Sequence, residues 1–237
     1  MLPKPFTVLP AQYSYVIREP MTEHNYKAMR RAMVESQLRT SDVNDPVILE
    51  AILAEPREIY VPEEKRSAAY IDRAVPLANG RALNPPLATT RLLVEAAPQA
   101  GEKVLLVGAA TGYAAALLAR LGCEVVAIEE DEALVAHAKA ALNGRAGVQL
   151  EAAPLSKGWD KNAPYDLLFV DGAVEELGED LISQIRVDGR VVFARVEHGI
   201  TRLCVGTRTA GGFGARAFAD WEAVTLPGFA RPKSFTF

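Results

Sequence analysis

The residues best placed to do chemistry lie in and after the stretch Val104-Leu-Leu-Val-Gly-Ala-Ala-Thr-Gly-Tyr113. An apolar strand runs into a turn of small residues, and a helix follows. Gly108 and Gly112 permit tight turning, and the helix start presents N–H groups that lack intrahelical partners. A dinucleotide fingerprint places glycines at relative positions one, three and six. Here those positions hold Gly108, Ala110 and Tyr113, so pyrophosphate binding and nicotinamide chemistry find little support. The next apolar strand, Val125-Val-Ala-Ile, ends in Glu129. A carboxylate there can accept hydrogen bonds from both ribose hydroxyls of an adenosine cofactor, or it can serve with Glu130 and Asp131 as the acidic start of a helix. Asp171 ends a third strand, Leu167-Leu-Phe-Val, at the edge where such sheets bind ligands. It reads equally as a cofactor contact or as the cap of a helix over residues 175–185.

The elements that position these groups follow from hydrophobic periodicity. Residues 1–20 carry four prolines and no sustained period; an arm over 1–25 is expected, and Met21 competes with Met1 as the start. Apolar residues then recur at helical spacing from Tyr26 to Glu55. Asp42 and Asp45 offer N-caps, and Pro46 suits a first helical position. Residues 26–88 read as a helical, loop-rich subdomain and 89–237 as the cofactor-binding domain. In the latter, helices at 91–97, 113–121, 132–142 and 177–185 alternate with strands at 103–108, 124–129, 148–152, 166–171 and 190–194. Near-continuous apolar strands alternating with helices indicate an α/β, doubly wound, Rossmann-like parallel sheet. Arg202-Leu-Cys-Val and residues 217–225 read as antiparallel strands closing its C-terminal edge. The tail Leu226-Pro-Gly-Phe-Ala is apolar enough to dock on the domain, at a place the sequence does not specify.

Composition narrows the classes. The 237 residues are 49% hydrophobic and 24% charged with a net charge of −4, the wrong sign for a chain that lives on phosphate backbones. No apolar run approaches the roughly 18 residues of a membrane span, and residues 1–20 lack the pattern of a signal peptide. A cytoplasmic chain with no membrane or nucleic-acid partner is expected; oligomeric state stays open. Cys123 and Cys204, far apart and without a CxxC, read as small buried hydrophobes. His24, His137 and His198 are scattered, so no metal site is expected.

Taken together, these residues resemble the protein-L-isoaspartate O-methyltransferases. The likeness runs through Met33-Val-Glu-Ser-Gln-Leu-Arg39, Asp45-Pro-Val-Ile-Leu49, Pro56-Arg-Glu-Ile-Tyr-Val-Pro62, Ala69-Tyr-Ile-Asp72 and Gln184-Ile-Arg-Val-Asp-Gly-Arg-Val-Val192. The spacing Gly108-x-x-x-Gly112 matches the outer glycines of the Gly-x-Gly-x-Gly turn of S-adenosylmethionine (SAM) enzymes. The resemblance implies SAM as cofactor, held by Gly108, Ala110, Gly112, Tyr113, Glu129 and Asp171. It implies methylation of the free carboxylate of isoaspartyl residues in damaged proteins. Departures cluster at ligand positions. Gly80-Arg-Ala-Leu-Asn-Pro-Pro86 stands where the family has Gly-Gln-Thr-Ile-Ser-Gln-Pro, which puts Asn84 in the serine's place. That implies that Asn84 orients the acceptor carboxylate, with Leu83, Pro85 and Pro86 lining the acceptor site. Leu106 replaces an acid, Ala110 the middle glycine, and Ala153-Pro-Leu155 a Gly-Asp-Gly at the adenine end. A Cβ at Ala110 costs roughly 1–2 kcal/mol if the turn is left-handed there, and the lost adenine contact about 0.5–3 kcal/mol. Cofactor affinity would then fall by roughly one to three decades. The alternative is a degenerate, non-catalytic paralogue that acts as a binding or regulatory module.

Overall fold

The computed structural model describes residues 22–231. The expected arm up to residue 21, both candidate start methionines and the last aromatic residues of the tail lie outside them. Helix α1 (Glu23–Met33) begins within the expected arm, capped by Thr22. It continues as a π-helical turn, Val34–Leu38, that buries Val34 and Leu38. Asp42 does not cap a helix N-terminus; it ends this run in the left-handed region at φ 67°. Asp45 caps α2 (Pro46–Ala54), accepting from the amides of Val47 and Ile48 with Pro46 at the first position, as its sequence indicates. A hairpin of β1 (Val75–Pro76) and β2 (Ala82–Leu83) leads into α3 (Pro86–Ala96). That helix starts five residues before the expected 91–97 and spans the 88/89 boundary.

A seven-stranded sheet follows, ordered β5-β4-β3-β6-β7-β8-β9. Its strands are β3 (Lys103–Val107), β4 (Glu124–Glu129), β5 (Val148–Ala152), β6 (Tyr165–Val174), β7 (Ile185–Glu197), β8 (Ile200–Thr209) and β9 (Gly212–Asp220). The first five in spatial order are parallel, and β8 and β9 add antiparallel at one edge. Helices α4 (Tyr113–Arg120) and α5 (Glu132–Leu142) make the crossovers between β3, β4 and β5. Alternation along β3 divides the interior. Val104 and Leu106 face a core shared with the N-terminal helices, and Leu105 and Val107 face a second core with Leu168 and Phe193.

Two expected elements near the C-terminus are corrected. The helix at 177–185 shrinks to α6 (Glu179–Ile182), because Ile185 already belongs to β7. Leu181, Ile182 and Ile185 share a helical spacing, but Ile185 pairs with Tyr165 in the sheet. The last strand is β9, ending at Asp220 rather than running from 217 to 225. Residues 221–223 then carry the chain back to β6, where Ala173 donates to the carbonyl of Val224 at 2.7 Å and accepts from the amide of Leu226 at 2.9 Å.

The N-terminal annex is pinned to the sheet domain through Glu55. Its side chain is fully buried and takes Arg120 of α4 and Arg145, each at 2.8 Å, together with the Tyr60 hydroxyl at 2.7 Å. Cys123 and Cys204 are buried and free.

Candidate functional site

The carboxyl ends of β3, β4 and β6 converge with the β1–β2 hairpin tip and the C-terminal tail. The turn Gly108-Ala-Ala-Thr-Gly112 has φ values of 81°, 47° and 100° at Gly108, Ala110 and Gly112. Ala110 therefore sits in the left-handed region, where a Cβ costs roughly 1–2 kcal/mol. The turn satisfies itself. The amides of Gly108 and Ala109 donate to the Ile128 carbonyl at 3.2 and 3.0 Å, and that of Gly112 to Ala109 at 2.8 Å. The Ala110 amide donates to Glu129 Oε2 at 2.8 Å.

Glu129 is fully buried at the end of β4 and its carboxylate is saturated. Arg81 donates through Nη1 to Oε1 at 3.2 Å and through Nη2 to Oε2 at 2.8 Å. The amides of Glu130 and Asp131 add two more bonds to Oε1, at 3.0 and 3.2 Å. The fork-to-fork pairing of Arg81 matches the carboxylate geometry. Arg81 closes the turn at the hairpin tip, which Asn79 ties down by a 2.7 Å bond to Asp131.

Asn84 and Asp171 come together. The Asn84 amide donates to Asp171 Oδ1 at 2.8 Å, and so does the Thr89 hydroxyl. Asp171 is buried, which pushes its pKa above the ordinary carboxylate value against the opposing pull of these bonds and of Arg57 and Arg81. It caps no helix, since β6 runs on to Val174 and α6 begins only after Gly178. Asn84 Oδ1 accepts from the tail amide of Val224 at 2.8 Å. The Arg57 guanidinium beside them is fully buried, donates to the carbonyls of Ala69 and Asn84, and leaves Nη1 without a partner.

Tyr113 turns into the annex joint. Its ring lies 5.5 Å from that of Tyr60 and 4.6 Å beneath the Arg57 guanidinium. Burial raises its phenol to a pKa of about 12.

The tail covers the first glycine of the turn and the end of β6. A Cβ built on Gly108 would stand 2.9 Å from Leu226 Cδ1, and one on Gly172 would stand 2.5 Å from Leu226 Cγ. Phe229 is buried in the cluster that includes Ala153 and Leu155. Glu129 is thus fully hydrogen-bonded, and Leu226 fills the space over the two glycines. Gly108, Ala110, Gly112 and Glu129 thus form one constellation and Asn84 with Asp171 another. Sequence reasoning missed Arg81 and Arg57, and it expected the tail with Leu226 to dock without naming the place. A signal for Arg81 was present, as it stands where the resembling family carries a glutamine.

The model of the family described as protein-L-isoaspartate(D-aspartate) O-methyltransferase matches residues 28–209. Protein-L-isoaspartate O-methyltransferase 1 of Rhodopseudomonas palustris is 35% identical over 189 residues, 78% of this chain and 77% of the relative. Protein-L-isoaspartate O-methyltransferase of Methylorubrum extorquens is 37% identical over 199 residues, 83% of this chain and 87% of the relative. Among solved structures, a Plasmodium falciparum protein titled a putative protein-L-isoaspartate O-methyltransferase, in complex with S-adenosyl-L-homocysteine, superposes with a TM-score of 0.72 at 17% identity. It covers 85% of this chain and 97% of that one.

Proposed function

The chain belongs to the protein-L-isoaspartate(D-aspartate) O-methyltransferase family, and from that membership we propose that it transfers a methyl group from SAM to the free carboxylate of isoaspartyl residues in proteins. The observation that carries this reading is the retention of the family's frame across residues 28–209, with Asn84 fixed on Asp171 at the carboxyl edge of the sheet. An isoaspartyl carboxylate is ionised at pH 7, so the reaction needs no general base. What the protein supplies is alignment and the exclusion of water. Asn84 is suited to orienting the acceptor, because Asp171 and the Val224 amide fix its side chain and its amide carries a second hydrogen. The acceptor is a protein rather than a nucleic acid, in keeping with the net charge of −4. We place the reaction in the cytoplasm, where the two thiols stay reduced. Among the described residues no helix is long and apolar enough to cross a membrane.

A second reading, a non-catalytic module that keeps the fold, is favoured by the Arg81–Glu129 pair and the covered glycines. Methyl transfer from labelled SAM to an isoaspartyl peptide, with calorimetric titration of S-adenosylhomocysteine, separates the two. Incorporation with micromolar binding is expected. Neither incorporation nor binding up to millimolar concentrations would leave the non-catalytic reading.

A further inference from the structure

We infer that Asp171 holds the methyl acceptor: in its protonated form it donates from Oδ2 to the acceptor carboxylate, on the oxygen that does not take the methyl group. This rests on the methyltransferase reading and on the place of Asn84 in the acceptor site.

Asp171 is bonded on one side only. Oδ1 accepts from the Asn84 amide and the Thr89 hydroxyl, both at 2.8 Å. Oδ2 has no hydrogen-bond partner among the described residues, yet it is not sealed off from solvent. Asn84 is pinned beside it. Arg57 donates to its main-chain carbonyl, Val224 donates to its side-chain oxygen, and its amide is spent in part on Asp171. A carboxyl group from β6, an amide that follows β2 and a hydroxyl from α3 thus meet at one point, with one oxygen left over.

Charge decides which form of Asp171 the acceptor meets. An isoaspartyl carboxylate must be ionised to attack a methyl group, and two carboxylates within hydrogen-bond reach do not both stay ionised. The proton therefore belongs to Asp171. Among the described residues, the charged and titratable groups that face Asp171 are Arg57, Arg81 and the Tyr113 phenol. The two guanidinium groups and the two bonds to Oδ1 favour its ionised form, but burial outweighs them. A neutral Asp171 donates where an ionised one would repel. In the transfer an acceptor oxygen bonds to the methyl carbon, the carbon–sulfur bond breaks, and its electron pair stays on sulfur. The proton on Asp171 does not move.

The test uses the full chain and an isoaspartyl peptide blocked at both ends, with no other titratable side chain. As pH rises through the Asp171 pKa, kcat/KM is expected to fall, by about tenfold per pH unit. The fall in kcat should lie at higher pH, because a bound carboxylate favours the protonated form. Asp171→Asn keeps a donor at every pH, so this fall should vanish, on a plateau about threefold below the parent's. Thr89→Val takes one bond from the ionised form and should move the fall up by about one pH unit. It carries the test should Asp171→Asn fail to fold. Proton uptake gives a readout without turnover. With S-adenosylhomocysteine in place of SAM, peptide binding above that pKa should take up a proton in the parent and none in Asp171→Asn. Calorimetry in buffers of different ionisation enthalpy measures it. A fall at the same pH in all three proteins, or a parent rate that rises with pH where Asp171→Asn stays flat, overturns the role of Asp171 while methyl transfer stands. No methyl transfer by the parent at any pH overturns the methyltransferase reading and this inference with it.

Discussion

Glu55 and Glu129 are two fully buried carboxylates, each paired with arginine, and they are built for different ends. Every bond to Glu55 comes from a side chain: Arg120, Arg145 and Tyr60, reaching it from separate parts of the fold. Glu129 is held mainly by main chain, through the amides of Ala110, Glu130 and Asp131, with Arg81 as its single side-chain partner among the described residues. Take away these side chains and the buried Glu55 carboxylate loses every one of these hydrogen bonds. Take away Arg81 and Glu129 keeps its position and three charge-assisted bonds. The first pair is a joint between the annex and the sheet domain. The second is a latch on a carboxylate that the strand end already positions.

The largest effect that tests this contrast is expected at the joint. Glu55→Ala should lower unfolding stability by about 3 kcal/mol, near the lower end for broken buried pairs because both arginines partly reach water. Urea unfolding reads it directly. Arg81→Ala should cost less, about 2 kcal/mol, the value of charge-assisted hydrogen bonds removed from an otherwise satisfied group. The same variant should bind S-adenosylhomocysteine more tightly than the parent. Equal stability losses at the two sites, with unchanged affinity, would erase the distinction between joint and latch. The smallest effect lies in the turn that feeds its amide to Glu129. Ala110→Gly relieves a left-handed alanine and should raise stability by about 1 kcal/mol, seen as a higher Tm. A lowered Tm would mean that the turn is not strained.

The contrast also marks what could be read from sequence. Apolar runs such as Val104-Leu-Leu-Val and Leu167-Leu-Phe-Val announced buried parallel strands, and both pair as neighbours, β3 with β6. Asp45 before Pro46 announced a helix start because capping is a local matter of a few residues. Gly108, Gly112 and Glu129 were legible for the same reason: strand, turn and strand-end acid are local features. The start of α3 was hidden in Pro85-Pro86, which reads as a loop although Pro86 occupies the first helical turn. Ile185 was misread because a helical spacing and a strand end share it. Arg81 reaches Glu129 across 48 positions and Val224 reaches Asn84 across 140. No local pattern encodes such contacts. They exist only after the sheet has brought the ends of β3, β4 and β6 together.

The short return from β9 to β6 has a consequence for dose. Residues 221–223 separate the end of β9 at Asp220 from Val224, so the docking segment cannot diffuse away from its cleft. A tethered occupant of this kind acts at an effective concentration on the order of millimolar, whatever the amount of protein in solution. Diluting the protein leaves the segment as docked as before, so the seating of Leu226 over Gly108 and Gly172 is set by the length of three residues and not by the amount of protein.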